Sequence, residues 1–205
     1  IPQGQSISIS ASSTNGVCSA TTNLAAPNCA CPFIAVPAGQ EYYSQCGNIN
    51  TPISMNVTVS NGLQANWYSQ AVGGVPILTN SLSYNHTNFT AGTYSYFVET
   101  FDPVTLCVSL TRLEIVVEIL TIPTINNYSY ELCDIGNNGV ELFDLNSIHS
   151  NVTSLNNVLS YHLSSSDALN GINNITSPYS NTSNPQTIFT RAVSTTGCIN
   201  TNTLI

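Results

Sequence analysis

The sequence predicts an all-β protein built of β-sandwich modules in a row, and three observations carry that reading. Short polar–apolar alternations recur throughout, separated by Gly, Asn and Thr turns. The only Trp, Trp67, opens a strand–turn–strand stretch from Ala65 to Cys107 that a cysteine closes. The cysteines also keep a period: Cys18, Cys107 and Cys198 lie 89 and 91 residues apart, and Cys46 and Cys133 lie 87 apart. Their flanks repeat too, SISISASSTNGVCSATTNL around Cys18 against TIFTRAVSTTGCINTNTLI around Cys198. Roughly ninety residues is the size of one sandwich domain.

Taken in order, residues 1–26 read as the C-terminal hairpin of a preceding β domain, and 27–37 (PNCACPFIAVP) as a connector punctuated by proline. Residues 38–120 make a complete module with strands expected at 53–59, 65–70, 75–78, 93–100 and 107–119. Gly92-Thr93-Tyr94 at a strand entry predicts a tyrosine corner, the phenol bonding back to upstream backbone. Residues 121–126 are a linker that Pro123 keeps extended. Residues 127–205 make a second module, truncated at its last strand, with strands expected at 128–133, 140–143, 158–163, 187–193 and 199–204. Two short helical turns are expected, one after Asp144 and one at SSDALNG, with a capping Ser before it and Gly171 closing it.

Composition narrows the function. Charged residues are 6% of the chain, lysine is absent, and Arg112 and Arg191 carry every formal positive charge against a net −8. A nucleic-acid partner needs a basic face to neutralise phosphates, so that class is excluded. No apolar run approaches the length of a membrane span, so no direct membrane insertion is expected. Seven cysteines, mostly far apart, lack zinc-ligand spacing and point to disulfides in an oxidising compartment. The expected pairs lie within modules: Cys46–Cys107 and Cys133–Cys198, with Cys18–Cys29 near the start and Cys31 left as the odd thiol or bound to a partner outside these residues.

The remaining candidates read as structural. Trp67-Tyr68 would suit a sugar-stacking platform, but strand alternation places Trp67 in the core and Tyr68 outward. His86, His149 and His162 stand in separate segments without metal-ligand neighbours, as solvated or turn residues. Asp134, Asn138 and Asp144 echo a calcium loop; Gly136 replaces one ligand and position twelve is Leu145, so an Asx-rich turn is the plainer reading. Arg191 shares a strand face with Phe189 and Val193 and calls for a carboxylate, Asp144 or Asp134. Sequons at Asn56, Asn85, Asn88, Asn127, Asn151, Asn174 and Asn181 are about as many as composition gives by chance. No Gly-x-Ser-x-Gly elbow or convergent carboxylate pair appears, so neither catalytic residues nor a cofactor are assigned, and the chain reads as a non-enzyme.

Two stretches carry a resemblance. WYSQAVGGVPI with the later AGTYSYFVE resembles the Ig-like repeats of large Bacteroidota surface proteins. ELCDIGNNGVELFDL, YHLSSSDALNG, SPYSNTSNPQTIFTRAV and TTGC resemble the repeat beside it in gliding-motility-associated proteins exported by type IX secretion. The connector APNCACP recurs in such proteins. The resemblance implies tandem Ig-like β-sandwich domains in a segment of a cell-surface adhesin or filament of the SprB kind. Such a segment is a semi-rigid extracellular spacer projecting an adhesive tip. Its partners would be neighbouring domains of the same long chain, surface glycans and other cell-surface proteins. The rival reading is a carbohydrate-binding module of a secreted polysaccharide-degrading protein.

Overall fold

The computed structural model describes residues 6–14, 19–25 and 31–205. In chain order the strands of the first part are β1 Ser6–Ser12, β2 Ser19–Ala25, β3 Ala38–Gly39, β4 Tyr42–Cys46, β5 Ile53–Thr58, β6 Gln64–Tyr68, β7 Ser83–His86, β8 Gly92–Phe101 and β9 Leu113–Leu120. The second part holds β10 Leu142–Phe143, α1 His149–Val152, β11 Val158–His162, α2 Ser165–Asn170, β12 Tyr179–Ser180, β13 Ile188–Val193 and β14 Ile199–Leu204. Strands dominate, and the protein is an Ig-like β-sandwich fold.

β1 and β2 form a two-stranded hairpin whose described side chains are exposed, Ile9 at 54%. The sheets that follow have strand orders β3-β5-β7 and β4-β9-β8-β6. Within the second of these β4 runs parallel to β9, Tyr42 opposite Val116 and Cys46 opposite Leu120. The second module has the three-stranded sheet β11-β13-β14 and the small pair β10-β12. By contact, the chain divides into two compact units. One is Ile1–Gly39, Asn56–Leu82 and Phe97–Glu114; the other is Gln40–Met55, Ser83–Tyr96 and Ile115–Ile205.

Burial follows the two-residue strand period. β5 buries Ile53, Met55 and Val57, and β9 buries Ile115, Val117 and Ile119. Trp67 is fully buried and its indole N–H donates to the Ser81 carbonyl at 2.8 Å, which is how a core Trp disposes of its polar edge. Tyr94 makes the expected corner, its hydroxyl donating to the Thr90 carbonyl at 2.8 Å. The second core gathers Leu145, Ile148, Val152, Tyr161, Ile188 and Leu204.

Several expected strands are shorter. Residues 75–78 give a single bridge, Leu78 to Trp67, because Gly73, Gly74 and Pro76 keep the approach in bends. The stretch 107–119 becomes a strand only from Leu113. The Ser109 hydroxyl accepts from Thr100 N–H and donates to the Thr111 carbonyl, which takes the chain out of the ladder. Residues 128–133 pair at Tyr128 alone, parallel to Leu204. α2 is capped as its sequence specifies. The Ser164 hydroxyl accepts from Asp167 N–H, and Gly171 takes φ 66°.

Candidate functional site: an inter-module disulfide and an acid-rimmed pocket

The disulfides are Cys31–Cys107 and Cys46–Cys198, both with Cα–Cα 5.6 Å. Cys133 is an exposed free thiol. The pairings Cys46–Cys107 and Cys133–Cys198 are therefore corrected, and Cys31 is not the odd cysteine; Cys18–Cys29 lies outside the described residues. The reason is the parallel register of β4 on β9. It carries Cys46 to Leu120, where the chain leaves for the linker, and Gly47 N–H donates to the Leu120 carbonyl at 3.0 Å. From there Cys46 meets the turn before β14, and the adjacent Asn48 Nδ2 donates to the Ile199 carbonyl at 2.9 Å. The bond thus joins residues 38–120 to residues 127–205 along the sequence, and both of its cysteines lie in the second compact unit, where β4 packs with the C-terminal stretch.

Cys107 and Cys198 are equivalent in structure as well as in period. Each ends a tight loop in which an upstream N–H, of Asp102 or Ser194, donates to the cysteine carbonyl at 2.8 Å. Each receives its partner from upstream of its own module, Cys31 from the connector and Cys46 from the preceding module. Cys198 is fully buried, whereas Cys31 is exposed.

The first module also holds a charged cluster that sequence patterning did not reveal. Arg112 Nε donates to Glu99 Oε2 at 3.1 Å, and Arg112 Nη1 donates to the carbonyls of Gln70 and Gly73 at 2.7 and 2.8 Å. The guanidinium lies 3.3 Å from the centre of the Tyr68 ring, whose hydroxyl donates to Glu99 Oε1 at 2.5 Å. Tyr68, expected outward, is 6% exposed beneath that cation. Burial, then the hydrogen bond to the Glu99 carboxylate, pushes its phenol up to about 12. The arrangement pins the Gly-Gly loop and occupies both oxygens of Glu99.

In the second module, Asp134, Asn138 and Asp144 do not converge. Asp134 accepts from Asn138 and Gly139 N–H, Asn138 Oδ1 from Val140 N–H, and Asp144 Oδ1 from Asn146 N–H and the Ser177 hydroxyl. Those oxygens are committed to Asx turns, and among the described residues no group of three or more His, Cys, Asp or Glu is placed to hold a metal. Arg191 reaches neither Asp134 nor Asp144: its guanidinium carbon sits 3.2 Å from where a Cβ on Gly171 would stand, with Nε buried and unpaired. His86 and His162 are buried, not solvated, at 1% and 0% exposure. Each ring donates to a carbonyl, of Asn88 or Ile172, and accepts from a hydroxyl, of Tyr96 or Ser160. A strand-borne histidine so paired is a core residue, and only the neighbouring Tyr and Ser hydroxyls hinted at it.

A pocket of about 370 Å³ opens in the same module. Leu145, Ile188 and Leu204 lie buried at its floor, the rings of Tyr130, Phe143 and Tyr179 line its walls, and Glu131, Asp134 and Glu141 stand at its rim. Tyr130 and Phe143 meet edge to face with centroids 5.1 Å apart.

A β-sandwich around one buried Trp, with a disulfide running from it to the following stretch of strands, defines the class, an extracellular Ig-like protein. Comparisons agree with that class. Residues 34–120 match the family model of an Ig-like domain, CHU_C associated. Residues 129–205 match that of the Flavobacterium inter-domain disulphide bond domain. The two matches support an Ig-like surface protein of the flavobacterial kind. No curated protein matches the sequence. Among solved structures, the crystal structure of Drosophila N-cadherin EC1-4 is similar over 83% of this chain and 49% of that one, with 12% identity and a TM-score of 0.32.

Proposed function

We propose that this segment is a structural, adhesive spacer on the outer surface of a cell, one that projects an adhesive tip and serves gliding motility. The observation that carries the reading is the Cys46–Cys198 bond between consecutive modules. A spacer transmits tension along its chain, and a covalent tie across a module boundary keeps adjoining modules from peeling apart. The match of residues 129–205 to a domain named for an inter-domain disulfide supports it, as does a surface of amides and hydroxyls with few charges. Trp67 cannot serve as the sugar platform of the carbohydrate-binding alternative, since none of it is exposed.

Pulling single molecules of the protein by its ends tests the spacer role. The 152 residues between Cys46 and Cys198 stay withheld under oxidising conditions and release roughly 500 Å of extra chain on reduction, at ~3.5 Å per residue. The same release without reductant contradicts the role. For adhesion, labelling intact cells with an antibody and scoring attachment of a deletion strain are the matching measurements. Unlabelled cells, or unchanged attachment and gliding, would remove the cell-surface and adhesive parts of the reading.

A further inference from the structure

We propose that the second-module pocket binds an organic cation with an apolar stem, such as an alkylammonium group. Shape, charge and the polar groups left without partners point to such a ligand. Two of the three amides that line the pocket, Asn181 and Gln186, are already engaged. Asn181 accepts from Glu141 N–H and donates to the Gly139 and Ser183 carbonyls, while Gln186 accepts from Thr182 N–H and donates to the Tyr179 hydroxyl. Asp134 is likewise occupied by two backbone N–H groups.

What remains beside Asn184 is anionic and aromatic. Glu141 accepts from Ile135 N–H through Oε1 and keeps Oε2 open, and Glu131 has only a 3.5 Å contact with the Ser129 hydroxyl. No Lys, Arg or His lines the pocket, so nothing neutralises these carboxylates from within. The aromatic rings of Tyr130, Phe143 and Tyr179 line the pocket and supply quadrupoles that favour a cation, and buried Leu204 offers apolar contact to a stem. The volume of about 370 Å³ lies in the range of small-ligand sites. A neutral ligand would gain nothing from the carboxylates of Glu131 and Glu141, and an anion would be repelled.

The source of the cation is a free amine or a lysine side chain of a partner protein, and the test separates them. The disulfide-intact protein is titrated calorimetrically with n-pentylammonium, its neutral counterpart 1-pentanol, its anionic counterpart pentanoate, and a lysine-centred tripeptide with blocked ends. Binding of the ammonium in preference to the other two pentyl probes is expected, weakening with added salt. Glu131→Gln and Glu141→Gln are each expected to weaken it by roughly tenfold, while Glu114→Gln, an equal charge loss on exposed β9 surface, leaves it unchanged. Alkylation of Cys133, which lies between the pocket residues Leu132 and Asp134, should slow when the ammonium is bound. A tripeptide that binds at least as well assigns the pocket to a partner's lysine; one that fails while the amine binds assigns it to a free ligand. Equal binding of pentanol or pentanoate, indifference to salt, or no binding at all would overturn the proposal. The pocket can fail this test while the Cys46–Cys198 tie stands.

Discussion

Arg112 shows how much one side chain organises in a chain with two cations. It pairs with Glu99, covers Tyr68 and holds two carbonyls of the loop that carries Gly73 and Gly74. Arg112→Leu leaves a buried carboxylate without its partner, so a loss of about 3–5 kcal/mol in denaturant-unfolding stability is expected. A loss no larger than that of an ordinary surface substitution would show that the cluster is solvent-screened. The tyrosines give a second expectation. Burial, with neighbouring Tyr84 and Tyr94 for Tyr96, holds Tyr96 and Tyr161 at about 12, and Tyr68 is also pushed to about 12. Each folded-state value exceeds the unfolded value near 10, so the folded chain retains protons that the unfolded chain releases. The stability these groups contribute is complete below pH 10 and is lost as pH rises from 10 toward 12. The phenolate absorbance contributed by these three tyrosines should therefore appear together with loss of the β-sheet dichroism signal across that interval; complete phenolate formation with the sheet signal intact would contradict it.

At the scale of elements, what was legible followed local rules. The alternation of β5 and β9, the Tyr94 corner and both caps of α2 each depend on neighbours within a few residues, and the sequence states those neighbours outright. Ser164→Ala should lower stability by about 1 kcal/mol through loss of the cap to Asp167 N–H, measured by urea unfolding. Gly171 carries two demands, a φ of 66° and the Arg191 guanidinium against its Cα, so Gly171→Ala should cost more than an ordinary surface change. What was not legible depended on register. The period correctly made Cys107 and Cys198 equivalent, but it could not reveal that β4 lies parallel to β9. That pairing decides whether Cys46 faces its own hairpin or the next module. Arg191 was misread for a related reason: alternation gave its face, while α2 and Gly171 supply what covers that face. The candidate pocket was invisible because its acids and rings come from segments between Ser129 and Ile205 that only the fold assembles.

For the molecule as a whole, the disulfides set how the chain resists unfolding. The loops they close span 76 and 152 residues, which on the chain-entropy model contribute about 4.5 and about 5 kcal/mol. Access differs sharply between them. Cys31 is exposed and Cys198 is fully buried, so graded reduction should open Cys31–Cys107 first, as timed alkylation would record. The reverse order would mean that the turn before β14 opens more readily than the connector. The covalent tie through Cys46 is checked by peptide mapping of the unreduced protein. A peptide linking Cys46 to Cys198 is expected, with Cys133 alkylated as a free thiol; peptides linking Cys46 to Cys107 and Cys133 to Cys198 would rule the tie out.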